Sequence, residues 1–441
     1  MKTRNSTKSK LLSSVIALVL CVSMLIGATF AWFTDSASTA VNKIQAGTLD
    51  VQLLDESGNS LEGQTLAWQK AAGHESEEVL WEPGCTYKLQ PIVIKNNGNL
   101  ALKYKIVITG IQGDAELNEA IEWTITNTSA TTALDADHPL AAGASDTLTI
   151  SGHMKESAGN EYQGLSIEGI AITVVATQDT VEYDSTTNQY DVNAEYPVAA
   201  NTQAELNDVI ASAQSGSAIP TKVVLPAGNF KLEDGTAQNK NITISGTADT
   251  VVTVVGDTGN QLNYQNGATL AFEGVTIQGQ TAGDFGGIAH VAKTTFVNCT
   301  FNGKLTLYGD ATFINCTFNN KSDYAIWTWG AKNAEFIGCT FNSGGKALLL
   351  YGGAGSTETP TTNLTVTDCV FDDDNTLTTD KAAIEIGNDY DAVYNLTVNN
   401  IIVTGFAENP AGISTGSTIW ANKNSMDQDH LNVVIDGVDV Y

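Results

Sequence analysis

Arginine is almost missing from this 441-residue chain: Arg4 is the only one. Past the first few residues no guanidinium is available, so chemistry that needs its bidentate fork for a carboxylate or phosphate is excluded. Basic residues of both kinds are scarce, with 21 Lys and Arg against 49 Asp and Glu, for a formal charge of −28. That excess argues against nucleic acid and anionic membrane surfaces as partners, and for a soluble, self-repelling surface or cation binding. Neither CxxC nor Cys/His spacing for zinc occurs. Of the six cysteines, Cys299, Cys316, Cys339 and Cys369 recur at equivalent places in a repeat, and Cys85 stands apart near a Pro-Gly turn. An exported chain with such cysteines invites a disulfide reading. Their register predicts instead a column of small buried thiols that behave as hydrophobes.

What the chain does have begins at its start. Lys2, Arg4, Lys8 and Lys10 form a basic head, followed by an uncharged, largely apolar run from Leu11 to Phe30. With small residues at Ala28 and Ala31, this is the layout of a secretory signal over 1–31, cleaved between Ala31 and Trp32. The other reading is an uncleaved anchor, since about 20 apolar residues span a bilayer. Ser13, Ser14 and Ser23 make a poor permanent anchor. Export is therefore expected, with membrane contact only through an uncleaved signal. No LPxTG sequence or apolar tail stands before Tyr441, so assembly rather than tethering is expected to retain the chain outside the cell.

Residues 32–180 alternate apolar and polar positions over short runs: Leu49–Leu53, Tyr104–Ile108, Ile121–Ile125, Leu148–Ile150 and Ile170–Val174. Period two between turn signals means half-buried strands, hence a β-sandwich. Three blocks here carry a resemblance. Gln45-Ala-Gly-Thr-Leu-Asp-Val-Gln-Leu53 follows the signal closely; Trp81-Glu-Pro-Gly-Cys-Thr-Tyr87 leads into Ile94–Leu102; and Tyr162-Gln-Gly-Leu-Ser-Ile167 runs into Val174–Gln178. In this order they resemble the TasA/camelysin family of exported Gram-positive biofilm-matrix proteins, whose signals are cut by a SipW-type peptidase. The resemblance implies a jelly-roll-like domain whose freed N-terminal segment pairs with the next subunit of a fibre. Trp32–Val41 suits that use, because an open sheet edge offers unpaired N–H and C=O groups to an incoming strand. A disordered terminus is the other reading. The chain departs from a metallopeptidase pattern by lacking HExxH.

An acidic, polar stretch at 181–200 reads as a linker to a second unit spanning 201–441. Thr202 and Glu205 form a capping box, and Leu206, Val209, Ile210 and Ala213 fall on one face of a short helix. A hexad then repeats: Phe272–Ile277, Phe296–Phe301, Phe313–Phe318, Phe336–Phe341, Val366–Phe371, Val398–Val403, with Ile435–Val440 as a final copy. One apolar pattern per unit at periods of this order is the signature of a solenoid. Positions one, four and six point inward, and position three (Gly, Asn or Asp) takes a left-handed bend. Loops of variable length are expected at one corner. The region resembles a pectate-lyase-like right-handed parallel β-helix. The fold class is thus all-β.

Chemistry on that helix has few candidates. Pectate lyases of the commonest type use an arginine base with calcium, and the exported chain has no arginine. Asp323, Glu385, Asp389 and Asp391 lack an accompanying Asp-Asp pair, and His290 and His430 are isolated. Lys346 or Lys381 as a lyase base is the remaining route. No catalytic residue is therefore expected. Binding fits better: aligning the glycines that end successive second strands puts Tyr308, Trp329 and Tyr351 in one column, with Trp327 two residues back. Such a ladder stacks sugar rings, or else its rings pack under a loop or in the core. Asp372-Asp373-Asp374 is a weak calcium candidate, and a solvated acidic loop is the plainer reading, so no cofactor is expected. The expectation is a secreted, non-enzymatic surface or biofilm-matrix protein that self-associates and displays a glycan-binding β-helix. A carbohydrate-active β-helix enzyme on a matrix domain is the alternative.

Overall fold

The computed structural model describes residues 49–441 except 62–63, 65, 78, 110–111, 115, 128–130, 169–170, 180–185, 188–194, 218–219, 234–239, 256–260, 264–268, 280–282, 290–292, 308, 320–323, 329–332, 343–346, 351–360, 373–378, 388–391 and 408–415. The signal, its junction Ala31–Trp32 and the segment Trp32–Val41 lie outside the described residues.

The alternating runs of the first region become antiparallel strands in two main sheets. Val51–Leu54, Ile92–Asn96, Ser145–Met154, Ile121–Thr126 and Thr131–Ala133 lie side by side, with Thr86–Lys88 added on Ser145–Met154. Ala171–Gln178, Leu102–Thr109 and His138–Leu140 form the other sheet. Ile92, Ile94, Leu148 and Ile150 from the first meet Leu102, Tyr104 and Ile106 from the second in one core, which makes the expected sandwich. Inside it the Tyr104 hydroxyl donates to Asp146 Oδ2 at 2.7 Å, as a buried phenol requires. Gly152 stands in register between Tyr87 and Trp123. Its bare backbone leaves room for the Trp81 ring, whose edge would lie 2.7 Å from any Cβ there.

From Val198 the chain coils, and successive turns contribute strands to sheets of eleven, eight and seven strands, parallel except for the last strand of the eleven. The coil at Lys293–Val297, Thr300–Phe301 and Gly303–Leu307 is representative. The hexads behave as their spacing predicts. Phe296, Cys299 and Phe301 point inward and are buried, as are Phe313, Cys316 and Phe318 in the coil above. Two ladders of rings result. Phe272, Phe296, Phe313 and Phe336 stack at 5.2, 4.8 and 4.6 Å. Phe301, Phe318, Phe341 and Phe371 stack at 4.8, 4.6 and 4.6 Å. These distances are the strand spacing of a parallel sheet, about 4.8 Å, so backbone pairing sets the ring contact.

Position three takes the left-handed bend in every copy through Asn400: Gly274, Asn298, Asn315, Gly338, Asp368 and Asn400 all have φ between 49° and 71°. Only Gly adopts this region freely, with Asn and Asp the next most tolerant. Cys299, Cys316, Cys339 and Cys369 are free and buried, while Cys85 is half-buried. With denaturant absent, a chain starting at Trp32 is therefore expected to react with a thiol reagent at Cys85 alone, and at all five cysteines once unfolded. Prompt labelling of any hexad cysteine in the native state would contradict the buried column.

The capping box is formed: Thr202 accepts from the Glu205 N–H, and the Glu205 carboxylate takes the Thr202 N–H. The helix Gln203–Ser212 turns Leu206 and Ile210 onto the first coils and closes that end of the core. Lys240 donates to the carbonyls of Ile210 and Ala211 at 2.7 and 2.8 Å, placing a cation at the negative end of the helix.

Three sequence expectations are corrected. Ile435–Val440 is not another coil: Leu431–Ile435 and Val438–Asp439 pair antiparallel. Asp436 and Gly437 both have positive φ, the condition of a two-residue type I′ hairpin. Variable length is not confined to one corner. Phe318 to Ile326 and Phe371 to Ile384 differ widely on one side, and so do Leu307 to Asp310 and Leu350 to Thr361 on the other. The tight corner is the one that the hexad itself makes. Finally, Val198–Ala199, placed within the linker from sequence, already pairs in parallel with Val223–Val224.

Candidate functional site

The seven-stranded sheet separates core-facing from outward residues by simple alternation. Leu305, Ile326, Leu348 and Ile384 are in register and belong to the core. The next residues along, Thr306, Trp327, Leu349, Glu385 and Ala421, are also in register and form one outward column. An outward column on an ordinary surface is wet. Here Thr306, Leu349, Glu385 and Ala421 are all buried and Trp327 is half-buried.

Charged and aromatic side chains converge on this column. Tyr324, itself buried, meets the Trp327 ring edge-on at 6.1 Å. The Lys304 ammonium lies 4.5 Å from the centre of the Trp327 ring, within cation–π range. Lys423, just beyond the strand Trp420–Asn422, donates to the Tyr324 phenol oxygen at 3.4 Å and stands 4.0 Å from Glu385 Oε2. One carboxylate, two ammonium groups and two aromatic rings thus share one face.

Glu385 is the anomaly among them. Its side chain is 1% exposed, and neither carboxyl oxygen has a hydrogen-bond partner among the described residues. A buried acceptor left without a donor costs about 1–3 kcal/mol, and more when it is charged. Burial accordingly pushes the Glu385 carboxyl above the usual carboxylate range, and Lys423 opposes the shift. The folded chain then holds this proton to higher pH than the unfolded chain does. Stability from this group is complete at acid pH and is lost as pH rises through the folded value. Glu385→Gln is expected to raise the melting temperature at neutral pH and to flatten its decline with pH. Calorimetry from pH 4 to 8 checks both. Some slope will persist, because burial also raises Glu335 on the eleven-stranded sheet, with Lys293 opposing.

Of the residues expected from sequence, Trp327 is in this cluster. Tyr308, Trp329 and Tyr351 lie outside the described residues, as do Asp373, Asp374, Asp323, His290, Lys346, Asp389 and Asp391. Among the described residues of these strands, Leu305 pairs with Ile326 and Ile326 with Leu348. Asp372 is described and buried, in a left-handed conformation. His430 sits in a turn against Asp427 at 2.8 Å, and Lys381 lies in the bend that precedes the strand Ile384–Ile386. Sequence reading missed Lys304, Tyr324 and Lys423, and left Glu385 without its neighbours. Carrying the second-strand alignment two copies further, to Ile384–Ile386 and Trp420–Asn422, would have placed Lys423 next to Glu385.

Comparison with known proteins follows the same division of the chain. Residues 233–426 match the family model described as right handed beta helix region. Residues 6–58 match the model described as camelysin metallo-endopeptidase. No curated protein matches the chain. A solved structure titled "Crystal structure of Agl-KA catalytic domain" aligns at 11% identity over 91% of this chain and 100% of that one, but its TM-score of 0.17 carries no argument. Both matched segments fit an extracellular protein. The chain joins a camelysin-like N-terminal stretch to a right-handed parallel β-helix.

Proposed function

We propose that this is an exported, non-enzymatic cell-surface or biofilm-matrix protein of a Gram-positive bacterium, which binds glycans on the outward face of the seven-stranded sheet. One observation carries the reading: the outward column sets the Trp327 ring beside Tyr324 and two strands from Glu385, which pairs with Lys423 beyond the next strand. A pyranose has an apolar face and a polar rim, and it is bound by such a juxtaposition of ring and hydrogen-bonding groups. Among the described residues the charged neighbour of Glu385 is a lysine. The sandwich supplies self-association in this reading, with Trp32–Val41 pairing onto the next copy.

The test is a glycan array probed with the chain starting at Trp32 and with its Trp327→Ala variant. Retention of a defined glycan class by the parent, lost in the variant, is the expected result. An array with no retained glycan, or a variant that binds as the parent does, contradicts it. Electron microscopy of the same chain beside one starting at Asn42 tests assembly, with fibres expected for the longer chain alone.

A further inference from the structure

The stretch that reads as a linker in the sequence ends in a segment that touches both units at once. We propose that residues 196–201 form a joint without a hinge, which docks the β-helix on the outward face of the strands Leu102–Thr109 and Ala171–Gln178 and fixes its direction relative to the sandwich. The inference goes beyond glycan binding and assembly and is tested without either.

Strand alternation identifies the face. Ile172, Val174 and Ala176 pack on the sandwich core, so Thr173, Val175 and Thr177 point away from it, in register with Val107, Lys105 and Lys103. An outward valine on a bare sheet is wet, yet Val175 is 3% and Thr177 6% exposed. Residues 196–201 lie on this face. The Lys105 and Lys103 ammonium groups stand 4.7 and 5.5 Å from the centre of the Tyr196 ring, within cation–π range. Asp137 holds the same two lysines at 3.1 and 3.7 Å. At the other end of the segment the Asn201 side-chain amide donates to the Thr173 hydroxyl at 3.2 Å.

The same segment is built into the β-helix. Val198 and Ala199 pair in parallel with Val223 and Val224, and the Ala200 N–H donates to the Val224 carbonyl at 3.0 Å. The Asn201 N–H donates at 2.7 Å to the Glu205 carboxylate that also caps the first helix. Between the ring held by the sandwich and the first strand of the β-helix stands one residue, Pro197. Proline locks its own φ at about −65° and restricts the residue before it, so the place where a hinge would sit is stiff. Domains of one chain move relative to each other by default when their contact is small and polar. Here rotation would have to tear Val198 and Ala199 from their ladder, or Tyr196 from its lysines. In an assembly built by the sandwich, every copy then presents the Trp327 face in one orientation.

Double electron–electron resonance on the chain starting at Trp32 tests this. Nitroxide labels are placed through Glu122→Cys on the sandwich and Asp208→Cys on the helix Gln203–Ser212, both exposed positions, in a Cys85→Ser background. Dilution with unlabelled chain restricts the readout to distances within one copy. A single narrow distance population is expected. It is expected to be lost when Tyr196→Ala and Thr173→Val are combined, which removes both contacts to the sandwich and leaves the pairing of Val198 and Ala199 in place. Circular dichroism melting of each chain verifies that both units are folded. A broad population in the parent overturns the inference, and so does a double variant that stays as narrow as the parent. Neither outcome depends on fibres or on a bound sugar, so glycan binding can fail while the joint stands.

Discussion

Phe313→Ala is expected to destabilise the β-helix by about 3–5 kcal/mol, the range for removing a fully buried aromatic ring from a core that cannot collapse into the space. Collapse is blocked here by the ladder itself. Phe313 stacks on Phe296 at 4.8 Å and on Phe336 at 4.6 Å, and meets Phe318 and Phe301 edge-on at 5.5 and 5.7 Å. Those rings are pinned by strands paired in register on both sides, so none can move in without breaking a ladder. Phe272 stacks on one ladder neighbour, Phe296, and Phe272→Ala is expected to cost less. Urea titrations monitored by circular dichroism measure both. Equal costs would mean that the ladder does not act through its stacked neighbours. A solenoid couples each coil to the next, so the Phe313→Ala chain is also expected to split its transition into two steps.

Gly274→Ala is the second large effect, and its cause is backbone rather than core. Gly274 makes a corner at φ +71°, and a Cβ there would lie 2.7 Å from the carbonyl oxygen of Gly246 in the coil below. That oxygen is main chain and has no rotamer to swing away. Left-handed conformation alone costs a non-glycine residue about 1–2 kcal/mol; with the clash added, about 2–4 kcal/mol is expected, the upper range for point substitutions. Asn298→Ala, at the next corner with φ +53°, separates the two contributions. It removes the tolerant side chain and adds no atom beside the backbone, and is expected to cost about 1 kcal/mol. Gly274→Ala matching Asn298→Ala would show that the coil shifts to accommodate the methyl group.

Much of this architecture was legible because each hexad states its own geometry. Phe, Cys and Phe at positions one, four and six give the inward face, and Gly, Asn or Asp at position three gives the bend. Thr202 and Glu205 announce the helix start in the same local way. The misread last hexad has a local origin. Ile435-Asp-Gly-Val-Asp-Val440 has the hexad's apolar spacing, yet Asp-Gly is also the strongest two-residue hairpin signal. The chain folds back on Leu431–Ile435. The site was legible in part. Trp327 stood out because aromatic residues recur near it at constant offset. Glu385 and Lys423 did not, because their proximity depends on coil lengths that differ from turn to turn. Nothing in the local sequence of Ile384-Glu-Ile386 distinguishes an outward glutamate that is wet from one that is buried.

The central claim is that the face around Trp327 and Glu385 holds a sugar without breaking it. The most direct measurement is the mass spectrum of the glycan retained most strongly on the array, after prolonged incubation with saturating protein. The account predicts one species, the intact glycan, at the starting amount. Shorter oligomers with new reducing ends, or unsaturated products lost in Glu385→Gln, would contradict it and make this face an active site.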